Sequence, residues 1–126
     1  MVTKIYLVRH AEAEGNAKEF FQGSIDTPLT EKGKQQLTYL AKRFADIPLD
    51  AIYSSPFQRA KLTAEAVNRS HALPITPEYE LREINGGEWE NTAWADLPAL
   101  FPQQYELWTQ KMWLFCAPQG DAMTDV

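Results

Sequence analysis

Lys4-Ile-Tyr-Leu-Val-Arg-His-Ala-Glu-Ala-Glu-Gly-Asn16 is the stretch on which the fold turns. Ile5 to Val8 is an unbroken apolar run, half of it β-branched, with an aromatic in the middle. A strand covered on both faces has this composition, and so has one turn of a buried helix. The run stops abruptly at Arg9-His10, where small and acidic residues take over. In an open α/β sheet, chemistry gathers in the crevice beyond the carboxyl ends of the strands. An imidazole beside a guanidinium at that point is a candidate site. On the pair alone, the simpler reading is a strand that leaves the core at two polar residues.

The rest of the chain alternates strands and helices. Residues 11 to 29 read as a loop with one helical turn near Ala17 to Phe21, longer than connections usually are. Phe20 and Phe21 are expected to fold it back onto the body of the protein. Thr30 is placed to cap a helix on which Leu37, Leu40, Ala41 and Phe44 recur at helical spacing, ending at Asp46 to Pro48. A second strand, Ala51 to Tyr53, runs into Ser55-Pro56, a cap and first-turn pair for the next helix, with Ala60, Ala64 and Val67 as its buried stripe. Pro74 to Thr76 reads as a third strand. This order predicts a parallel, doubly wound sheet. Gly86-Gly87 marks a loop, and two helices, Trp94 to Phe101 and Pro102 to Phe115, follow. Tyr105, Trp108, Met112 and Phe115 form an apolar stripe on the second, which at that spacing is core.

Composition narrows the class. A chain of 126 residues is at most one domain and is long enough for a core. With 44% apolar and 23% charged residues it is globular, and a formal charge of −5 argues against a general nucleic-acid binder. An anionic small molecule stays open, because a few focused cations outweigh net charge inside a cleft. The single cysteine, Cys116, allows no internal disulfide, and two histidines cannot build a zinc cluster. Neither a signal-peptide pattern nor a membrane-spanning run is present, so the expectation is a cytoplasmic protein that binds no membrane.

Four collinear segments together resemble the histidine phosphatase superfamily, also called phosphoglycerate-mutase-like. The first is Arg9-His10-Ala11-Glu12 with Asn16. Gln22-Gly23, followed by Asp26-Thr-Pro-Leu-Thr-Glu-Lys-Gly33, is the second. Tyr53-Ser-Ser-Pro-Phe-Gln-Arg-Ala60 with Thr63-Ala64 is the third, and Leu81-Arg-Glu-Ile-Asn-Gly-Gly-Glu-Trp-Glu-Asn91 is the fourth. The resemblance implies a three-layer α/β/α domain over residues 1–126 with a mostly parallel sheet.

It also implies a chemistry. Phosphoryl transfer needs a nucleophile, compensation for the equatorial oxygens and a proton for the leaving group. By resemblance His10 is the nucleophile and forms a transient phosphohistidine. One ring nitrogen must then be free while the other is held by a hydrogen bond. Arg9 and Arg59 clamp the phosphoryl oxygens, and Asn16, Gln22 and Gly23 complete the phosphate site. Glu83 acts as general acid and then base, which calls for partial burial or nearby phosphate charge. No metal and no cofactor are implied, and Glu12 with Glu14 make a poor Mg²⁺ site beside Arg9. Thr30 and Asp26 are expected to order turns, Glu88 and Glu90 to be solvated, and His71 to lie on the surface.

The pattern has departures. Ala11 replaces the usual glycine, which suits a backbone of negative φ. Asn91 stands where glycine follows the Trp-Glu pair. The chain stops at Val126, before the helix, the strand with the second family histidine and the further strands of its relatives. One edge or face of the first strand is then left open. The expectation is a piece of a longer protein, with a homodimer or segment exchange as the other outcome. The reading is a phosphatase of a small phosphomonoester. A phosphoglycerate mutase and a catalytically dead phosphate-binding or interaction domain are the alternatives.

Overall fold

The computed structural model describes all of residues 1–126. It contains α1 (Glu14–Ala17), α2 (Glu31–Phe44), β1 (Ile52–Ser54), α3 (Gln58–Asn68), β2 (Ile75–Pro77), α4 (Leu97–Leu100) and α5 (Pro102–Gln110), with short 3₁₀ turns between and after them. β1 and β2 pair in parallel, with Ile52 opposite Ile75 and Ser54 opposite Pro77. No helix is long and apolar enough to cross a membrane.

Ile5 to Val8 does not join a ladder, and the sheet has two strands instead of three. None of residues 1–10 takes part in a backbone–backbone hydrogen bond. Ile5 and Leu7 are 76% and 95% exposed, while Tyr6 packs edge-on against Phe44 at 5.7 Å. A cavity of about 1490 Å³ lies between this segment and β1, which is paired along one edge only. A strand is defined by its hydrogen bonds to neighbours, and here the apolar run makes none.

Three clusters form the core. Phe44, Ile52, Ala64 and Val67 join α2, β1 and α3, with Leu40, Leu73 and Ile75 packed around them. Ala11, Ala13 and Leu29 make a smaller one beneath the N-terminal segment. The third gathers Phe21, Ile84, Trp89, Leu97, Phe115 and Ala117, with Phe101, Tyr105 and Trp108 against it. Trp89 and Leu97 are fully buried, and burial on that scale contributes roughly 1.5–3 kcal/mol per large side chain. This aromatic cluster fixes the site loops: Phe21 meets Trp89 edge-on at 5.7 Å, and Phe20 bridges to Ala93.

Several local expectations shift. The helical turn after His10 is Glu14–Ala17, three residues early, because Asn16 Oδ1 accepts the Ala13 N–H and starts the turn there. Thr30 caps α2 through Gly33 N, as its spacing predicts. Ser55 does not cap α3. The N–H of Gln58 instead donates to Asp26 Oδ1 at 2.8 Å, across a sequence separation that no local rule captures. The last long helix ends at Gln110, so Met112 falls on a 3₁₀ turn and is 41% exposed rather than core.

Candidate active site

His10, Arg9, Arg59 and Glu83 line one cavity, the large space beside β1. His10 reaches it at the end of the unpaired segment, and Arg59 from the first turn of α3. Glu83 enters from the loop after the 3₁₀ turn Tyr79–Leu81. The His10 ring is half-buried and its Nδ1 lies 2.7 Å from the Ala11 carbonyl. A carbonyl only accepts, so Nδ1 carries a proton, and in the neutral ring Nε2 keeps the lone pair. Burial holds the His10 pKa below the ordinary imidazole value; the Ala11 carbonyl opposes this, and the Arg59 and Arg9 charges reinforce it. Burial thus favours the neutral ring, which has one nitrogen free.

Arg59 is 3% exposed, so it is no surface residue. Its Nη1 donates to Ile25 O at 2.6 Å and its Nη2 to Gly23 O at 2.8 Å, and the guanidinium lies 4.9 Å from the centre of the Phe57 ring. Burial lowers its pKa, partly offset by Asp26, Glu83 and Glu90, and a guanidinium stays charged regardless. Arg59 therefore fastens the Gly23–Ile25 loop to α3 while presenting its charge to the cavity. Thr63, one turn further along, donates to Arg59 O at 2.7 Å and accepts the N–H of Ala11 at 3.0 Å. That places the backbone beside His10 directly over the helix that carries Arg59.

The neutral donors are arranged less simply. Asn16 shares a second, smaller cavity with Arg9. Gln22 Oε1 accepts from Thr27 at 2.6 Å, and Gly23 sits at φ +51 with its carbonyl on Arg59. Neither residue lines either cavity. Glu83 is exposed, contrary to the partial burial its role calls for, and its Oε1 accepts the N–H of Ile84 at 2.9 Å. Ala11 avoids positive φ, so alanine is no burden there, whereas Asn91 adopts φ +61, a conformation that favours glycine.

Two residues were misjudged from sequence. Glu90 is half-buried, not solvated: its Oε1 accepts Ser24 N at 2.7 Å, Ser24 Oγ at 2.7 Å and Gly86 N at 2.9 Å. It joins the loop of Gln22 to the loop of Glu83. His71 is half-buried and donates from Nε2 to Phe44 O at 2.9 Å, tying the end of α3 to the end of α2. Glu12 accepts from Thr30 and Lys32, in that order of effect, which holds its carboxyl below the usual range.

Residues 5–126 match the sequence model of the histidine phosphatase superfamily, branch 1. The chain belongs to that superfamily. Phosphoserine phosphatase 1 of Hydrogenobacter thermophilus is 34% identical over 110 residues, which are 87% of this chain and 52% of that protein. A Salmonella typhi relative named "Probable phosphoglycerate mutase GpmB" is 39% identical over 69% of this chain and 40% of its own. The solved structure of Bacillus stearothermophilus YhfR superposes with a TM-score of 0.84 at 36% identity, covering 93% of this chain and 58% of that one. The fold is therefore the α/β fold of phosphoglycerate-mutase-like histidine phosphatases, and the chain spans about half the length of the relatives it matches.

Proposed function

We propose that the chain carries the phosphate-transfer half-site of a phosphatase acting on a small phosphomonoester. One observation supports this most: His10, with Nδ1 donating to Ala11 O and Nε2 free, shares a cavity with both guanidinium groups and the Glu83 carboxyl. In this reading Nε2 attacks phosphorus as the ester P–O bond breaks. Arg9 and Arg59 compensate the equatorial oxygens, with Asn16, Gln22 and Gly23 ordering the loop around them. Glu83 in its protonated form gives its proton to the departing alkoxide. It then takes a proton from water, which attacks the phosphohistidine and frees phosphate and the neutral imidazole. The two guanidiniums supply the charge compensation a metal ion gives elsewhere, so the reaction proceeds without one. The compartment is the cytoplasm.

Hydrolysis of p-nitrophenyl phosphate by the wild-type chain and by His10→Ala tests the reading. Loss of at least about a hundredfold in rate on removing the nucleophile is expected. Equal rates contradict it, and phosphate binding without turnover favours the binding-domain alternative. The relative named as a mutase keeps one further comparison useful: interconversion of 3- and 2-phosphoglycerate without phosphate release favours a mutase over a phosphatase.

A further inference from the structure

Arg9 and Glu19 face one cavity of about 550 Å³, whose remaining walls are Gly15, Asn16, Phe20 and Trp94. Neither charged side chain is paired: the protein's ion pairs involve Lys18, Lys32, Lys34 and Arg82, and none reaches Arg9 or Glu19. Two opposite charges thus border the same space without satisfying each other. Glu19 takes the left-handed conformation, φ +56, in the turn that closes α1. Its N–H donates to Asn16 O at 3.2 Å and its carbonyl accepts Trp94 N at 3.0 Å, so the backbone carrying its carboxyl is tied to two other walls of the cavity.

A ligand filling this space must show an anion to Arg9 and Asn16 and a cation to Glu19. A second anionic group at the Glu19 end meets a like charge. An ammonium there meets a carboxylate and two aromatic side chains, Phe20 and Trp94, whose rings attract cations. Arg9 also borders the His10 cavity, so the phosphoryl end lies on the side the nucleophile reaches.

We propose that this cavity takes the leaving group of an amino-alcohol phosphate, with Glu19 the specificity-determining residue for its ammonium. The proposal rests on the phosphatase reading for what happens at His10, but the binding preference itself does not depend on turnover.

Equilibrium binding of O-phosphoethanolamine and of propyl phosphate, which differ only in replacing the ammonium by a methyl group, tests it on the full chain by calorimetry. Hydrolysis of both is followed alongside. Phosphoethanolamine should bind about five- to tenfold more tightly, from one exposed ion pair and one cation–π contact, and Glu19→Gln should bring the ratio down to the cation–π share, about two- to threefold. Equal affinities in the wild type, no binding of either ester, or a preference undiminished by Glu19→Gln overturns the proposal. The preference without hydrolysis upholds the ammonium site and removes the phosphatase reading. Hydrolysis without the preference does the reverse.

Discussion

Thr63 Oγ1 accepts the backbone N–H of Ala11 at 3.0 Å, and this bond holds His10 over the helix bearing Arg59. The segment before it has no backbone–backbone hydrogen bonds, so the tether is its principal polar attachment. Thr63→Val keeps the shape and leaves a buried N–H without its acceptor. The expected cost is about 1–3 kcal/mol in urea unfolding, with a larger fall in phosphatase rate than Thr63→Ser produces. Unchanged stability and rate in Thr63→Val would mean that His10 is placed by something else.

The His10 ring should titrate below 6.5, the ordinary imidazole value, because burial disfavours its charged form. The sign follows from proton counting. Between the lowered folded pKa and the unfolded value, the unfolded chain binds more protons, so stability from this group is complete above about 6.5 and is lost as pH falls through that window. The nucleophile is active over the same neutral range. Proton NMR titration of the imidazole measures the midpoint directly, and a midpoint at or above the ordinary value refutes the assignment of a neutral ring.

How much of this was legible in the sequence depends on the distance over which each feature is decided. α2 was readable because Thr30 and the spacing of Leu37, Ala41 and Phe44 are local signals. The positions of His10, Arg59 and Glu83 were readable as a family pattern, and the structure places them around one cavity. The start of α3 was misread because its cap is Asp26, far away in the chain. Glu90 is unreadable for the same reason: two of its three donors are on Ser24, far away in the chain, and only Gly86 N is near it in sequence. Ile5 to Val8 has the composition of a strand, but composition supplies no hydrogen-bonding neighbour.

Glu90 should matter more than its sequence position suggests. Glu90→Ala leaves Ser24 N and Gly86 N without their acceptor and separates the Gln22 loop from the Glu83 loop. A loss of about 1.5–3 kcal/mol is expected, since hydrogen bonds to a charged group are the stronger kind. Glu88→Ala, at an exposed carboxyl two residues away, should stay within about 0.5 kcal/mol. Denaturant midpoints for the two variants decide the matter; similar losses in both would show that Glu90 does not join the loops.

Residues 4 to 9 should exchange their amide hydrogens rapidly, because no backbone acceptor protects them. The amide of Ala11 should exchange far more slowly through its bond to Thr63, as should the interior of α2. Hydrogen exchange followed by NMR resolves these positions. Protection of Ile5 to Val8 comparable to α2 would show that the apolar run is paired in solution.

The central claim is that the imidazole at position 10 bonds covalently to phosphorus. Rapid quenching of the chain after mixing with p-nitrophenyl phosphate, followed by peptide mass spectrometry, tests it most directly. The account predicts a phosphate that is labile in acid and stable in alkali, located on His10 and absent from His10→Ala. Turnover with no phosphorylated residue, or phosphate found on any other side chain, would contradict it.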